Sequence, residues 1–224
     1  MSSKPHISES YEENYFEARH AGQDLLRERS YEIEREKILQ RVQSGDVLDV
    51  GCGMGNFLMT FNDDWNKYGI EISRFAAEKA SSNGIKILEK IPQNEKFDLI
   101  IWRGVFQHLD CPLKTLDECI RALKPGGWIS FLATPNSNSI CYKLFNTLPM
   151  LDPKLNFVIP SDNQLKQILL NKGLENIEIQ FPYLESPYSK PLQDHIKFIL
   201  RLCGLKTKFP FWKNMMEVFA QKGH

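Results

Sequence analysis

The sequence predicts an α/β protein, doubly wound around a mostly parallel sheet, and three observations carry that expectation. Short apolar, β-branched runs alternate with segments of helical apolar spacing, which implies parallel strands with helices on both faces. One run, Val47-Leu48-Asp49-Val50, passes directly into the glycine-dense turn Gly51-Cys52-Gly53-Met54-Gly55. A second run ends on a carboxylate, Glu71, at the spacing where α/β sheets bind nucleosides.

The 224 residues fit one such unit with a sizeable core. Residues 1–224 are therefore read as a single domain: an N-terminal helical region (1–44), a cofactor-binding core (45–134) and a substrate-side half (135–224). A polar segment opens the chain, and helical patterning follows through Leu25, Leu26, Ile33, Ile38, Leu39 and Val42, ended by Gly45. Strands are expected near 46–50, 67–71, 85–88, 97–102, 128–133, 176–182 and 215–221. Helices are expected near 55–61, 73–82, 112–123 and 161–172, the last opened by a Ser161/Gln164 capping box and closed by Gly173. Two segments exceed this scaffold, 135–160 and 183–213, the second holding a helical pattern over Asp194–Leu202 and the aromatics Phe209, Phe211 and Trp212. Loops at the carboxyl rim of such sheets carry substrate choice, so both are acceptor-site candidates, although most of their apolar residues are expected to pack on the sheet. Ile196, Phe198, Ile199 and Leu200 also suit a homodimer or membrane-surface contact.

Glycines at 51, 53 and 55 allow backbone angles and a ligand approach that a Cβ would block. A dinucleotide enzyme would show G-x-G-x-x-G, whereas here the spacing is G-x-G-x-G and Asp49 stands two residues before the first glycine. That carboxylate is unfavourable beside a pyrophosphate and suits a ligand carrying cationic groups. Glu71 can accept two hydrogen bonds from ribose hydroxyls.

With these residues the chain resembles the class I S-adenosylmethionine (SAM)-dependent methyltransferases. Val47-Leu48-Asp49-Val50-Gly51-Cys52-Gly53-Met54-Gly55-Asn56 is similar to their first motif and Tyr68-Gly69-Ile70-Glu71-Ile72-Ser73 to their second. Phe97-Asp98-Leu99-Ile100-Ile101 with Gln107-His108-Leu109, and Leu123-Lys124-Pro125-Gly126-Gly127-Trp128, extend the match over roughly residues 45–135. The resemblance implies a seven-stranded Rossmann-like methyltransferase sheet with an antiparallel edge formed by the last two strands. It implies SAM as cofactor, with S-adenosylhomocysteine as product. Gly51, Cys52, Gly53, Gly55 and Asn56 would line it, Asp49 would fix its amino-acid end, Glu71 its ribose, and Ile72 would lie against adenine. Arg103 stands where the family lines this pocket, and a salt bridge accounts for it equally well. Tyr11, Tyr15, Phe16 and Arg19 resemble a lid whose arginine pairs with the cofactor carboxylate. The adenine-amine contact stays open between Glu89 and a backbone group.

Twenty-eight acidic residues balance 28 basic ones without a long basic run, which excludes the electrostatic footprint of a nucleic-acid binder. No secretory n- and h-region and no bilayer-length apolar run are present, so a cytoplasmic protein without integral membrane contact is expected. Five scattered cysteines without a C-x-x-C pair read as reduced thiols, Cys52 among them as a small packed side chain. No converging carboxylate set for a metal is visible, nor the Asn-Pro-Pro-aromatic signature of nucleic-acid amino-methylating enzymes.

Methyl transfer from a sulfonium is an in-line displacement, so positioning in a dry pocket is most of the work. A hydroxyl acceptor gains from proton removal, and His108 is the candidate general base, with Asp110 able to orient it; the alternative is a histidine that only satisfies its local turn. The expected activity is methylation of a small molecule, an O-methyl product on a metabolite, sugar or glycan precursor. A non-catalytic cofactor-binding protein of the same fold and a nicotinamide-dependent oxidoreductase are the alternatives.

Overall fold

A computed structural model describes residues 24–148, 151, 156–208, 210 and 213–223. Seven strands form one sheet: β1 (Gly45–Val50), β2 (Trp65–Ile70), β3 (Lys86–Ile87), β4 (Phe97–Arg103), β5 (Leu123–Pro135), β6 (Leu174–Gln180) and β7 (Met215–Lys222). Their order is β3-β2-β1-β4-β5-β7-β6. All neighbours run parallel except β7, which is antiparallel to β5 and β6 on its two sides. The reversed strand is thus one in from the edge. Strand order reverses between β1 and β4, and the crevice beyond their carboxyl ends is where such sheets bind ligands.

Alternation along the strands divides the core. Leu48, Ile100, Trp102 and Phe131 face one side and are covered by helices α3 (Pro112–Ala122) and α5 (Asp162–Asn171), through Leu116, Leu165 and Leu169. Val47, Leu99, Ile101 and Leu132 face the other, under α1 (Asp24–Leu39) and α2 (Arg74–Ser82). Burying one such side chain is worth roughly 1.5–3 kcal/mol, and the fully buried Trp102 sits at the end of β4 that carries the site. Parity puts Asp49 on the α1 side with Val47, in register with Ile101 and Gly69.

Helix α1 docks through only part of the sequence pattern: Leu25 and Leu26 are exposed, the buried stripe is Tyr31, Glu34 and Ile38, and Leu39 packs half-buried against the same core. Ion pairs complete it, Lys37 to Glu217 at 2.8 Å and to Glu185 at 2.7 Å, and Arg41 to Glu178 with its guanidinium over the Phe219 ring. The capping box at Ser161/Gln164 and the positive-φ stop at Gly173 form as expected.

The helix expected over 55–61 is reduced to one 3-10 turn, Leu58–Thr60. Left-handed backbone at Gly51, Gly53 and Gly55 keeps the chain turning, and Phe61 is already extended at ψ 137°, which leaves room for a single turn. Strand β5 begins at Leu123, earlier than expected, because Leu123-Lys124-Pro125-Gly126-Gly127 is carried as a bulge against β4. A Cβ on Gly127 would come within 2.9 Å of Lys124 O and 3.1 Å of Phe97 O, so only glycine allows the backbone approach. The two additional segments hold α4 (Ile140–Phe145), capped by Ser139, and α6 (Pro191–Leu202), which starts at Pro191.

Candidate active site

The glycine turn is tied to the end of β2. Gly51 and Cys52 N–H donate to Ile70 O at 2.8 and 3.1 Å. Directly beyond that strand, Glu71 accepts from Gly53 N–H through one carboxylate oxygen and from Ser73 N–H through the other, each at 2.8 Å. The carboxylate is thereby held across the mouth of the turn. The other two glycines answer to the protein itself. A Cβ at Gly51 would lie 2.7 Å from a Val105 methyl, and one at Gly55 would lie 2.0 Å from Ile85 Cδ1 and 3.3 Å from Ala80 Cβ. Gly55 therefore seats the turn on α2, a role that the G-x-G-x-G spacing does not distinguish from ligand approach.

Asp49 is 2% exposed at the end of β1, and its Oδ1 has no hydrogen-bond partner. Burial pushes its pKa up to about 8 against the pull of Arg103, and the carboxylates of Glu71 and Glu34 push the same way. Arg103, at the end of β4, pairs with Glu34 of α1 through Nε at 2.6 Å and Nη2 at 3.3 Å, and its guanidinium lies over Tyr31, 4.5 Å from the ring centre. Of the two readings of Arg103, the ion pair is realised. Burial opposes its charge, but Glu34, Tyr31 and Tyr188 hold it protonated. With Asp49 largely protonated, Glu34 and Glu71 still outnumber the Arg103 guanidinium, an excess of negative charge at the crevice. Glu34 and Tyr31 did not emerge from the sequence, because helical periodicity scores them as one polar and one core position.

Beyond β4, Phe106–His108 forms a second 3-10 turn. His108 is half-buried there, its Nε2 3.3 Å from Gln107 Nε2, and Asp110 is exposed two residues on. Gln107 is the side chain that sequence reasoning passed over. It is buried, donates to Gly104 O at 3.1 Å, has no partner for Oε1, and its main-chain O accepts from Phe157 N–H at 2.8 Å. A buried orphan acceptor beside a histidine marks a polar position facing a ligand or water. Cys52 is buried against Gly69, and burial followed by Asp49 and Glu71 pushes its thiol above the ordinary range, so it is no nucleophile. Asn56 is half-buried on the turn, and Ile72, just past Glu71, is 59% exposed. Glu89 lies on the loop after β3. Arg19 and the Tyr11/Tyr15/Phe16 pattern lie outside the described residues, as do Phe209, Phe211 and Trp212.

The geometry brings Asp49, Gly51, Gly53 and Glu71 together around one turn, with Arg103 and His108 across the crevice on the β4 side. An orphaned buried carboxylate oxygen, a net negative lining and an exposed apolar side chain beyond the ribose-type carboxylate suit a nucleoside carrying a sulfonium and an ammonium. These residues fit SAM, with Asp49 and Glu71 able to hold it.

Comparison with known proteins gives the same assignment. The family model described as a methyltransferase domain matches residues 20–179. A ubiquinone biosynthesis O-methyltransferase of Candida albicans is 29% identical over 62% of this chain and 46% of its own length. An uncharacterized protein of Methanocaldococcus jannaschii is 34% identical over 44% of this chain and 49% of its own. The chain spans about half the length of these curated relatives. Among solved structures, a SAM-dependent methyltransferase of Thermotoga maritima superposes with a TM-score of 0.65 at 19% identity, covering 99% of this chain and 100% of that one. Phosphoethanolamine N-methyltransferase 2 of Haemonchus contortus, in complex with phosphomonomethylethanolamine and S-adenosylhomocysteine, has a TM-score of 0.57 at 18% identity, covering 84% of this chain and 51% of that one. With a family match over more than half of its residues, carried on this strand order, the chain belongs to the methyltransferase-domain family.

Proposed function

We propose that the chain methylates a hydroxyl group of a small-molecule acceptor, with His108 as the general base. The observation that carries this reading is the β4 turn: a half-buried histidine beside the buried, unsatisfied Gln107 amide, at the rim of the strand-reversal crevice. When bound, SAM supplies an electrophilic methyl group. Asp49 and Glu71 hold the cofactor's charged and ribose ends, and the Arg103–Glu34 pair fixes α1 over the crevice and narrows water access. His108 takes the acceptor proton as the new bond forms, and Gln107 Oε1, which has no protein partner, accepts from a polar group of the acceptor, while Gln107 Nε2 lies beside the histidine ring. Several relatives bearing the name ubiquinone biosynthesis O-methyltransferase, at 26–29% identity, support oxygen as the nucleophile.

The test is an acceptor screen that reads S-adenosylhomocysteine release from wild type and His108→Ala. Turnover with phenolic or alcoholic acceptors is expected, falling about 10²–10⁴-fold in the variant with unchanged SAM affinity. Turnover confined to amines, or full activity in His108→Ala, would contradict the proposal.

A further inference from the structure

Helix α6 is built inside out. Globular proteins turn the apolar stripe of a surface helix toward the core, but α6 directs Asp194, Phe198 and Arg201 inward. Asp194 is buried, accepts from Lys190 N–H at 3.0 Å and from Tyr183 Oη at 3.3 Å, and Phe198 meets the Phe145 ring. Leu192, Ile196, Ile199 and Cys203, at i, i+4, i+7 and i+11, share the opposite face and are exposed, the three aliphatic side chains by 49–76%. Leu202, off that line, and Leu205, past the end of the helix, are also more than half exposed.

The segment that carries the ridge has an excess of one sign of charge. In a chain of zero net charge, residues 189–213 hold six basic side chains, Lys190, Lys197, Arg201, Lys206, Lys208 and Lys213, against the single acid Asp194, which is buried. Lys190, Lys206, Lys208 and Lys213 are exposed and make no ion pair with any described residue. An exposed apolar ridge in a segment with four exposed lysines that pair with no described residue complements an anionic lipid surface, where the apolar side chains enter the interface and the ammoniums meet headgroups. A second copy of the chain is disfavoured by the same charges, since a self-complementary contact would oppose one basic segment to another.

The position of this face links it to the site. The chain between the end of β6 and the start of the reversed β7 lies at the carboxyl rim of the parallel strands, the rim that carries the glycine turn, Glu71 and His108. Glu185 of the same segment pairs with Lys37 of α1, and Tyr188 lies within electrostatic reach of Arg103. We propose that α6 docks the protein on anionic membranes with its active-site rim toward the bilayer. On the proposed small-molecule reading, the acceptor is then amphiphilic and is met at the lipid interface.

Flotation of the full chain with phosphatidylcholine vesicles, and with vesicles containing about one third anionic phosphatidylglycerol, tests the docking without cofactor or acceptor, so it succeeds or fails independently of the methylation screen. Wild type is expected to float with the anionic vesicles only, and to be released by salt. Each lysine near the surface contributes roughly fivefold, so Lys206→Glu/Lys208→Glu/Lys213→Glu is expected to weaken binding at least about a hundredfold. Ile196→Asp/Ile199→Asp is expected to weaken it at least about tenfold. Both variants alter exposed side chains only, and retained SAM binding by calorimetry verifies their fold. Failure of wild type to float overturns the proposal, as does wild-type vesicle affinity in the Ile196→Asp/Ile199→Asp protein. A wild-type dimer that this variant converts to monomer in sedimentation also overturns it, in favour of a second copy on the ridge.

Discussion

Asp49→Asn tests the electrostatics of the crevice. With its carboxyl pushed up to about 8, wild-type Asp49 is about nine-tenths protonated at pH 7 before the cofactor binds. A cationic ligand favours the carboxylate, so binding expels the proton. SAM affinity should then rise about tenfold per pH unit from pH 6 and level near pH 8, a span of about a hundredfold or ~2.7 kcal/mol. Calorimetry in two buffers of different ionisation heat should detect release of about 0.9 proton at pH 7. The asparagine variant retains every other titrating group, including those of the ligand, so the difference between the two proteins isolates Asp49. The unliganded protein has a matching signature. The folded-state pKa lies above the unfolded value, so the stability contribution of this proton is complete below about pH 4 and is lost as pH rises toward 8, and Asp49→Asn should lack that decline. Parallel pH profiles and equal proton release in the two proteins would refute the reasoning.

Gly55→Val should lower the melting temperature, because its Cβ would stand 2.0 Å from Ile85 Cδ1 at a φ of +81°; a cost of about 1–3 kcal/mol is expected in denaturant unfolding. Glu34→Gln should cost about 3 kcal/mol by leaving the Arg103 charge uncompensated between α1 and β4, measured by the same unfolding transition.

The strands and the cofactor turn were legible because their signals are local. β-branched runs, three glycines within five residues, and a carboxylate at each strand end are read from neighbours in the chain. Long-range pairings were not legible. Arg103 and Glu34 are 69 residues apart, and a glutamate on a charge-rich helix gives no hint that it is buried. Gly55 looked like its two companions until Ile85 and Ala80 appeared against it. The length of the turn after β1 was misjudged because apolar Phe57, Leu58 and Phe61 mimic a helical stripe, although all three are buried from a loop and a single 3-10 turn. Gln107 carries no signal of its own in the sequence, since only burial reveals an unsatisfied amide oxygen. The inverted orientation of α6 was equally hidden. Periodicity finds an amphipathic helix but does not say which face meets the core.

Calorimetric titration of SAM and S-adenosylhomocysteine into wild type and Glu71→Ala tests the central claim most directly. Wild type should bind both saturably. Glu71→Ala should weaken binding by about 1.5–3 kcal/mol per charge-assisted hydrogen bond lost, with a folded variant verified by its melting transition. A folded wild type that binds neither ligand, or a Glu71→Ala protein that binds as tightly as wild type, would contradict the cradle built by Gly53 and Glu71 at the end of β2.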